Sequence, residues 1–68
     1  MHVVMSDAEL LRAAIAASGL SVRKFAVVLV RDPRTLFRWL SGESPLPRAV
    51  RERCEQLVAV VTQPPGGG

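Results

Sequence analysis

The sequence has few of the residues that build metal sites, disulfides or catalytic pockets. Its 68 positions hold one cysteine, one histidine, one tryptophan, two phenylalanines and no tyrosine. One cysteine cannot form an internal disulfide, and one cysteine with one histidine cannot form a structural zinc site. Catalysis needs a nucleophile or an acid–base pair held in a pocket, and a single histidine at position 2 supplies neither. The sequence therefore predicts a protein that is not an enzyme and that binds no metal, other cofactor or small-molecule ligand.

Long hydrophobic runs are absent as well. The longest uncharged apolar stretches, Phe25 to Val30 and Leu57 to Val61, are far shorter than the roughly 20 residues of a membrane span. No basic-then-apolar signal peptide opens the chain, so we expect the mature protein to be the whole chain. A chain this short buries only about 60% of the surface that it exposes when unfolded. We therefore expect it to depend on compact helix packing or on a partner subunit.

Acidic residues are outnumbered by basic ones, and the excess lies in the middle of the chain. Nine basic and six acidic residues give a net charge of +3 and a pI near 10.5. Between Ser21 and Arg53, eight basic residues accompany three acidic ones, a net charge of +5 over 33 residues. A basic surface favours a polyanion, which leaves two alternatives open: a nucleic acid or an acidic membrane surface.

The first half of the sequence predicts two short helices. Ser6 and Glu9 form a capping box at the start of the first helix. Gly19 suits the left-handed residue that follows a helix end, so this helix should stop at Ser18. Ser21 caps the second helix, whose inward residues we expect to be Val22, Phe25, Ala26 and Leu29.

The second half predicts two further helices. Asp32 at the cap and Pro33 at the first helical position start a third helix, 33–40, after a turn of about three residues. A last helix should run from about Pro47 to Val61, because apolar residues recur there at helical spacing. We expect Trp39 and Cys54 to lie in the core.

Two short helices joined by a tight turn are the pattern of a helix-turn-helix, whose second helix enters the major groove of DNA. The stretch GLSVRKFAVVL, followed by DPRTLFRWLSGE, resembles the repressor-type helix-turn-helix family, which includes the lambda-like phage repressors. The resemblance extends from about Leu10 to Leu57. We therefore expect an all-α bundle of four to five helices that contains a helix-turn-helix over residues 6–61. The absence of a helix-start signal predicts an N-terminal arm, 1–5, and the Pro/Gly composition predicts a disordered tail, 62–68.

The turn and the start of the second helix depart from the family pattern. The family usually has glycine in the turn and then an apolar residue, where this chain has Val30 and Arg31. Valine disfavours positive φ, so we expect a different backbone or a shifted register there. The family often has a phosphate-binding glutamine where this chain has Val22.

The resemblance also implies which residues meet DNA. Arginine can contact O6 and N7 of guanine with two parallel hydrogen bonds, and the third helix carries arginine in both of its turns. The residues expected to contact bases are Arg34, Thr35, Phe37 and Arg38. Those expected to contact phosphates are Ser21, Arg23, Lys24 and Ser41. For Phe37 a second possibility stays open, that its ring folds over the loop after Gly42.

One recognition helix reads too few base pairs for useful specificity, so the resemblance implies a homodimer on a palindromic operator. We expect Leu57, Val60 and Val61 to form the dimer interface. The predicted function is that of a small bacterial or phage transcriptional repressor, cytoplasmic and associated with the nucleoid of a bacterial host. Among such regulators it resembles the anti-CRISPR-associated autorepressors of phages. The alternative is an antitoxin or protein-interaction module with the same fold.

Overall fold

The computed structural model describes residues 5–62, with the side chains of residues 5–60. That part of the chain forms four helices and no strand. The helices are α1 (Asp7–Ser18), α2 (Val22–Leu29), α3 (Pro33–Leu40) and α4 (Arg48–Thr62). The all-α prediction is confirmed. Residues 1–4 of the expected arm and 63–68 of the expected tail lie outside the described residues, whereas Thr62, which was assigned to the tail, ends α4.

Side-chain caps start the first three helices as predicted. Ser6 Oγ accepts a hydrogen bond from the Glu9 N–H at 3.2 Å, and Glu9 Oε1 accepts one from the Ser6 N–H at 3.1 Å. Hydrogen bonds from the backbone and hydroxyl of Ser6 lower the pKa of Glu9 below its usual value. Ser21 Oγ caps α2 by accepting from the Lys24 N–H at 3.2 Å. Asp32 caps α3, with Pro33 at its first position.

The connection between α2 and α3 contains a left-handed residue that is not glycine. Val30 has φ 56° and ψ 50°. Its N–H donates to the Val27 carbonyl at 3.0 Å, and the Arg31 N–H donates to the Ala26 carbonyl at 2.9 Å. These two hydrogen bonds define a Schellman motif. The expectation of a different backbone or a shifted register is therefore wrong, because valine adopts the glycine-like conformation that the motif requires.

The core lies around α1, which packs against all three other helices. Ala26 is fully buried, and Trp39 and Cys54 are buried as predicted, 4% and 0% exposed. The buried apolar residues are Leu10, Leu11, Ala14, Phe25, Ala26, Leu29, Leu36, Trp39, Leu46, Val50 and Cys54. Val22, expected to face inward, is half-buried against this core. Among the described helices, none is long and apolar enough to cross a membrane.

Asp7 joins the start of α1 to the second half of the chain. Its Oδ2 accepts a hydrogen bond from the Leu46 N–H at 2.9 Å, and its Oδ1 accepts one from Arg51 Nη2 at 2.6 Å. These contacts fix the loop between α3 and α4 and the first turn of α4 against α1. The helices α2 and α3 also pack against α1, and both keep exposed residues outside the core.

Candidate nucleic-acid interface

The third helix has a buried face and an exposed face of different chemistry. Successive helical residues are rotated by about 100°, so Leu36 and Trp39, at 0% and 4% exposure, project to one side. On the opposite side are four exposed residues with the spacing i, i+3, i+4, i+7. These residues, which we call the α3 face, are Arg34, Phe37, Arg38 and Ser41. The α3 face presents two guanidinium groups, an aromatic ring and a hydroxyl on a helix of about two turns.

Thr35, the other residue predicted to contact bases, lies at the edge of this face. It is half-buried, because a rotation of about 100° from Arg34 turns it toward the core side. The structure thus brings three of the four predicted base-contacting residues onto one exposed surface and places the fourth at its margin.

The basic side chains of α2 and α3 are not neutralised within the described part of the chain. Its ion pairs are Arg48–Glu52, at 3.3 Å, and Arg51–Asp7, at 2.6 Å, so both use arginines of α4. The four exposed basic residues outside these pairs on α2 and α3 are Arg23, Lys24, Arg34 and Arg38.

The segment that contains α2, α3 and the turn between them has a net positive charge. The segment 21–42 holds five basic residues and one acidic residue, a net charge of +4. That acidic residue, Asp32, accepts a hydrogen bond from the Arg34 N–H at 2.8 Å. Unpaired surface cations of this density produce a positive potential that attracts a polyanion.

The two serines predicted to contact phosphates differ in the state of their hydroxyl groups. Ser21 Oγ accepts from the Lys24 N–H, which leaves its hydroxyl proton free for a phosphate oxygen. Ser41 Oγ donates to the Arg38 carbonyl at 2.9 Å and accepts from the Glu43 N–H at 3.4 Å. A phosphate contact from the Ser41 hydroxyl would have to replace the first of these bonds, so Ser21 is the better placed of the two.

Phe37 is an exposed aromatic residue within this basic surface. It is 55% exposed, so its ring is not covered by the loop that follows Gly42. Its neighbours on the α3 face are Arg34 and Arg38, one turn apart. A ligand that covers this ring must therefore offer an apolar group to it and also accommodate the positive charge of the two arginines.

A second exposed apolar surface lies at the end of α2. Val27 is 75% exposed, Val28 46% and Val30 81%, and we call these three residues the valine patch. Val27 is not among the residues of α2 that the sequence predicts to face inward, and Val30 is exposed at a position with left-handed backbone. The exposed side chain of Val30 was not predicted from the sequence. The signal that could have indicated it is the absence of glycine from the turn.

The residues predicted to form a dimer interface differ in their exposure to solvent. Val60 is 72% exposed, whereas Leu57 is half-buried against the core of its own chain. The side chain of Val61 lies outside the described residues. Nearby, an open groove of about 440 Å³ separates the start of α1 from α4, with Met5, Leu10 and Val58 among its apolar lining.

Other chemistry is sparse in the described part of the chain. It contains no group of three histidine, cysteine or acidic residues placed to hold a metal ion. The thiol of Cys54 is buried, and that burial raises its pKa. A buried thiol with a raised pKa stays protonated and packs as a small apolar side chain.

Comparison with known proteins identifies no relative of this chain. No family model, no curated protein and no solved structure matches it. The candidate interface therefore depends on the geometry and charge of α2 and α3 alone.

Proposed function

We propose that this chain is a sequence-specific DNA-binding transcriptional repressor that binds a palindromic operator as a homodimer. In this proposal α2 and α3 act as a helix-turn-helix and α3 enters the major groove. The observation that carries the proposal is the α3 face, where Arg34 and Arg38 are exposed, without an ion pair among residues 5–60, opposite the buried Leu36 and Trp39. The exposed side chains of this face do not contribute to the core. Their charge suits a polyanion, and their regular spacing suits one that presents a regular series of hydrogen-bonding groups, as the major groove of DNA does.

The dimensions of α3 support docking in the major groove. A helix with its side chains is about 10–12 Å across, and the groove is about 12 Å wide. Arg34, in the first turn, would hydrogen-bond O6 and N7 of a guanine, and Arg38 would contact the next base or a phosphate. Arg23, Lys24 and Ser21, at the start of α2, would anchor the neighbouring phosphates.

Repression by such a small protein would work through occupancy of the DNA. The bound dimer would block polymerase at a promoter, and the operon so controlled would include the repressor's own gene, in a bacterial or phage genome. The protein would then act in the cytoplasm, at the nucleoid. A palindromic operator follows from the twofold symmetry of the homodimer.

The test begins with selection of binding sites from a random-sequence duplex library and continues with titration of the selected duplex at several salt concentrations. We expect log affinity to fall with log salt by about 0.9 per phosphate contact. Arg34→Ala should cost roughly 1–3 kcal/mol on the selected duplex and relax one base position per half-site. Arg23→Ala should weaken binding to all sequences and flatten the salt slope by about one.

Arg53→Ala is the matched control, because it removes the same charge from an exposed position of α4, which does not belong to the α3 face. Its affinity and slope should stay close to those of the unmodified protein. Failure to enrich any sequence, with Arg34→Ala and Arg53→Ala indistinguishable on DNA, would contradict the proposal. Binding of the protein to anionic lipid vesicles in place of DNA would favour the membrane alternative.

The valine patch favours a second candidate, an antitoxin or protein-interaction module. Three exposed valines on one short helix and its end form an apolar surface of the kind that partner proteins cover. Under this candidate the DNA selection yields no enriched sequence, and Val27→Ser disrupts the complex with the partner. Under the repressor proposal Val27→Ser leaves DNA affinity unchanged, because Val27 does not belong to the α3 face.

A further inference from the structure

We propose that Phe37 recognises the C5-methyl group of a thymine next to the guanine contacted by Arg34. The inference rests on the proposed function and specifies which base the α3 face recognises besides guanine. Its starting point is a large apolar ring, 55% exposed, in the middle of the surface that the proposal places against DNA.

The position of Phe37 on the helix directs its ring to the floor of the groove. At about 100° per residue, Arg34 and Ser41 lie on a line along α3, with Phe37 to one side of it and Arg38 to the other. A helix that presents Arg34 to base edges therefore presents Phe37 to base edges as well, rather than to the core or to bulk solvent.

The charge around the ring restricts what can cover it. Arg34 and Arg38 flank Phe37, and neither forms an ion pair within the described residues. A second copy of the same face would bring like charges together, which disfavours self-association through Phe37. The complementary surface must combine negative charge with an isolated apolar group. The major groove does so, because phosphates line its walls and thymine methyl groups are the apolar groups on its floor.

The spacing along the helix places the two contacts on neighbouring base pairs. Three residues of α-helix advance about 4.5 Å along the axis, and one base pair advances about 3.4 Å along DNA. The advance of Phe37 over Arg34 is therefore little more than one base-pair step, so with Arg34 on a guanine Phe37 reaches the adjacent base pair. The recognised element in each half-site is a guanine with a thymine beside it, on either strand.

Uracil provides a direct test, since it differs from thymine in DNA only by the absence of the C5-methyl group. Burial of one such group corresponds to about 0.8 kcal/mol, which is an approximately fourfold change in Kd. The probe is the duplex selected from the random library, with each thymine replaced by uracil one position at a time. Kd is measured by fluorescence anisotropy at fixed salt concentration.

The matched variants are Phe37→Ala, Phe37→Leu and Arg53→Ala, each checked for helix content by circular dichroism. For the unmodified protein and Arg53→Ala, we expect one thymine position per half-site at which uracil raises Kd about fourfold. Phe37→Leu keeps an apolar side chain and should retain more than a twofold effect. Phe37→Ala should bind thymine and uracil duplexes equally at that position.

The outcomes separate the inference from the function on which it rests. If the protein selects a specific sequence but uracil has no effect at any position, or if Phe37→Ala keeps the full effect, the inference is overturned while the repressor proposal stands. If no sequence is enriched from the library, the repressor proposal itself fails, and the inference fails with it.

Discussion

Two aromatic residues of α3 show how a separation of two positions changes the role of a side chain. Trp39 is 4% exposed and belongs to the core, whereas Phe37 is 55% exposed on the opposite side of the helix. The backbone places them about 200° apart around the helix axis. An aromatic side chain thus contributes to the core at position 39, whereas at position 37 it is exposed and, under the proposed function, available to DNA.

Substitution of these two residues should therefore have opposite consequences for folding and binding. Trp39→Ala should lower the free energy of unfolding by about 3–5 kcal/mol, as expected for a buried aromatic residue. That loss is close to the whole stability of a domain this small, so the variant should be unfolded at 25 °C. Circular dichroism during urea denaturation measures the change.

Phe37→Ala is the control for that measurement, because it truncates an exposed ring on the same helix. We expect its unfolding curve to lie within about 1 kcal/mol of the unmodified protein. A folded Trp39→Ala together with an unfolded Phe37→Ala would show that the facing of α3 is wrong by about half a turn.

The ends of α2 and α3 use the same hydrogen-bond pattern with different residues. At the end of α3, the Glu43 N–H donates to the Arg38 carbonyl at 3.0 Å and the Gly42 N–H donates to the Trp39 carbonyl at 3.2 Å. Gly42, with φ 82°, occupies the left-handed position that Val30 occupies after α2. Glycine adopts this conformation without steric cost, whereas a β-branched residue is strained in it.

Val30→Gly should therefore stabilise the protein. Left-handed backbone costs an L-residue about 1–2 kcal/mol, and the side chain, 81% exposed, contributes little packing. Part of the gain is offset because glycine makes the unfolded chain more flexible. We expect a net increase of roughly 0.5–1 kcal/mol in the free energy of unfolding, which corresponds to a few degrees in Tm.

The control for this substitution is Val27→Gly, which removes an exposed valine from regular helix. It should destabilise the protein by a few tenths of a kcal/mol, because glycine has the lower helix propensity. Thermal melts of the two variants should then shift in opposite directions. A decrease in Tm for Val30→Gly would contradict the left-handed assignment of Val30.

At the scale of the whole molecule, the arrangement around α1 separates two surfaces. α4 packs along α1 and uses two of its arginines, Arg48 and Arg51, in ion pairs with Glu52 and Asp7. The basic residues of α2 and α3, by contrast, form no ion pair within the part of the chain that the structure describes. Under the proposed function, the basic surface of α2 and α3 would bind DNA, and the exposed end of α4 would contact a second subunit.

The homodimer proposal predicts that a charge at this second surface abolishes association without unfolding the monomer. Val60, 72% exposed, can accept the substitution because it does not belong to the core. Light scattering at tens of micromolar protein should give a dimer for the unmodified chain and a monomer for Val60→Glu, with equal helix content by circular dichroism. DNA affinity of the variant should fall, because each half-site is then bound singly.

Val27→Glu is the matched control, since it places the same charge on an equally exposed valine of α2. It should remain dimeric. A monomeric unmodified protein, both free and on DNA, would contradict the homodimer. Loss of dimers in Val27→Glu but not in Val60→Glu would instead assign the interface to the valine patch.

Features of the fold that depend on neighbouring residues could be predicted before the structure was known. Caps such as Ser6 and Asp32 act within three positions of themselves, so the helix starts could be predicted from local chemistry. The amphipathic pattern of α3 likewise separates Trp39 from Arg34, because helix geometry alone fixes their relative directions. The all-α class and the composition of the α3 face follow from these local rules.

Features that depend on residues far apart in the sequence arise only when the helices pack together. Asp7 contacts Arg51, 44 positions along the chain. No local pattern indicates that Arg51 would form an ion pair while Arg34 forms none among the described residues. Leu57 is half-buried because α4 lies along α1. Val30 adopts a conformation that its own side chain disfavours, since the packing of α2 and α3 against α1 holds both ends of the turn. Local preference is worth about 1–2 kcal/mol at such a residue, and the packing of two helices exceeds it.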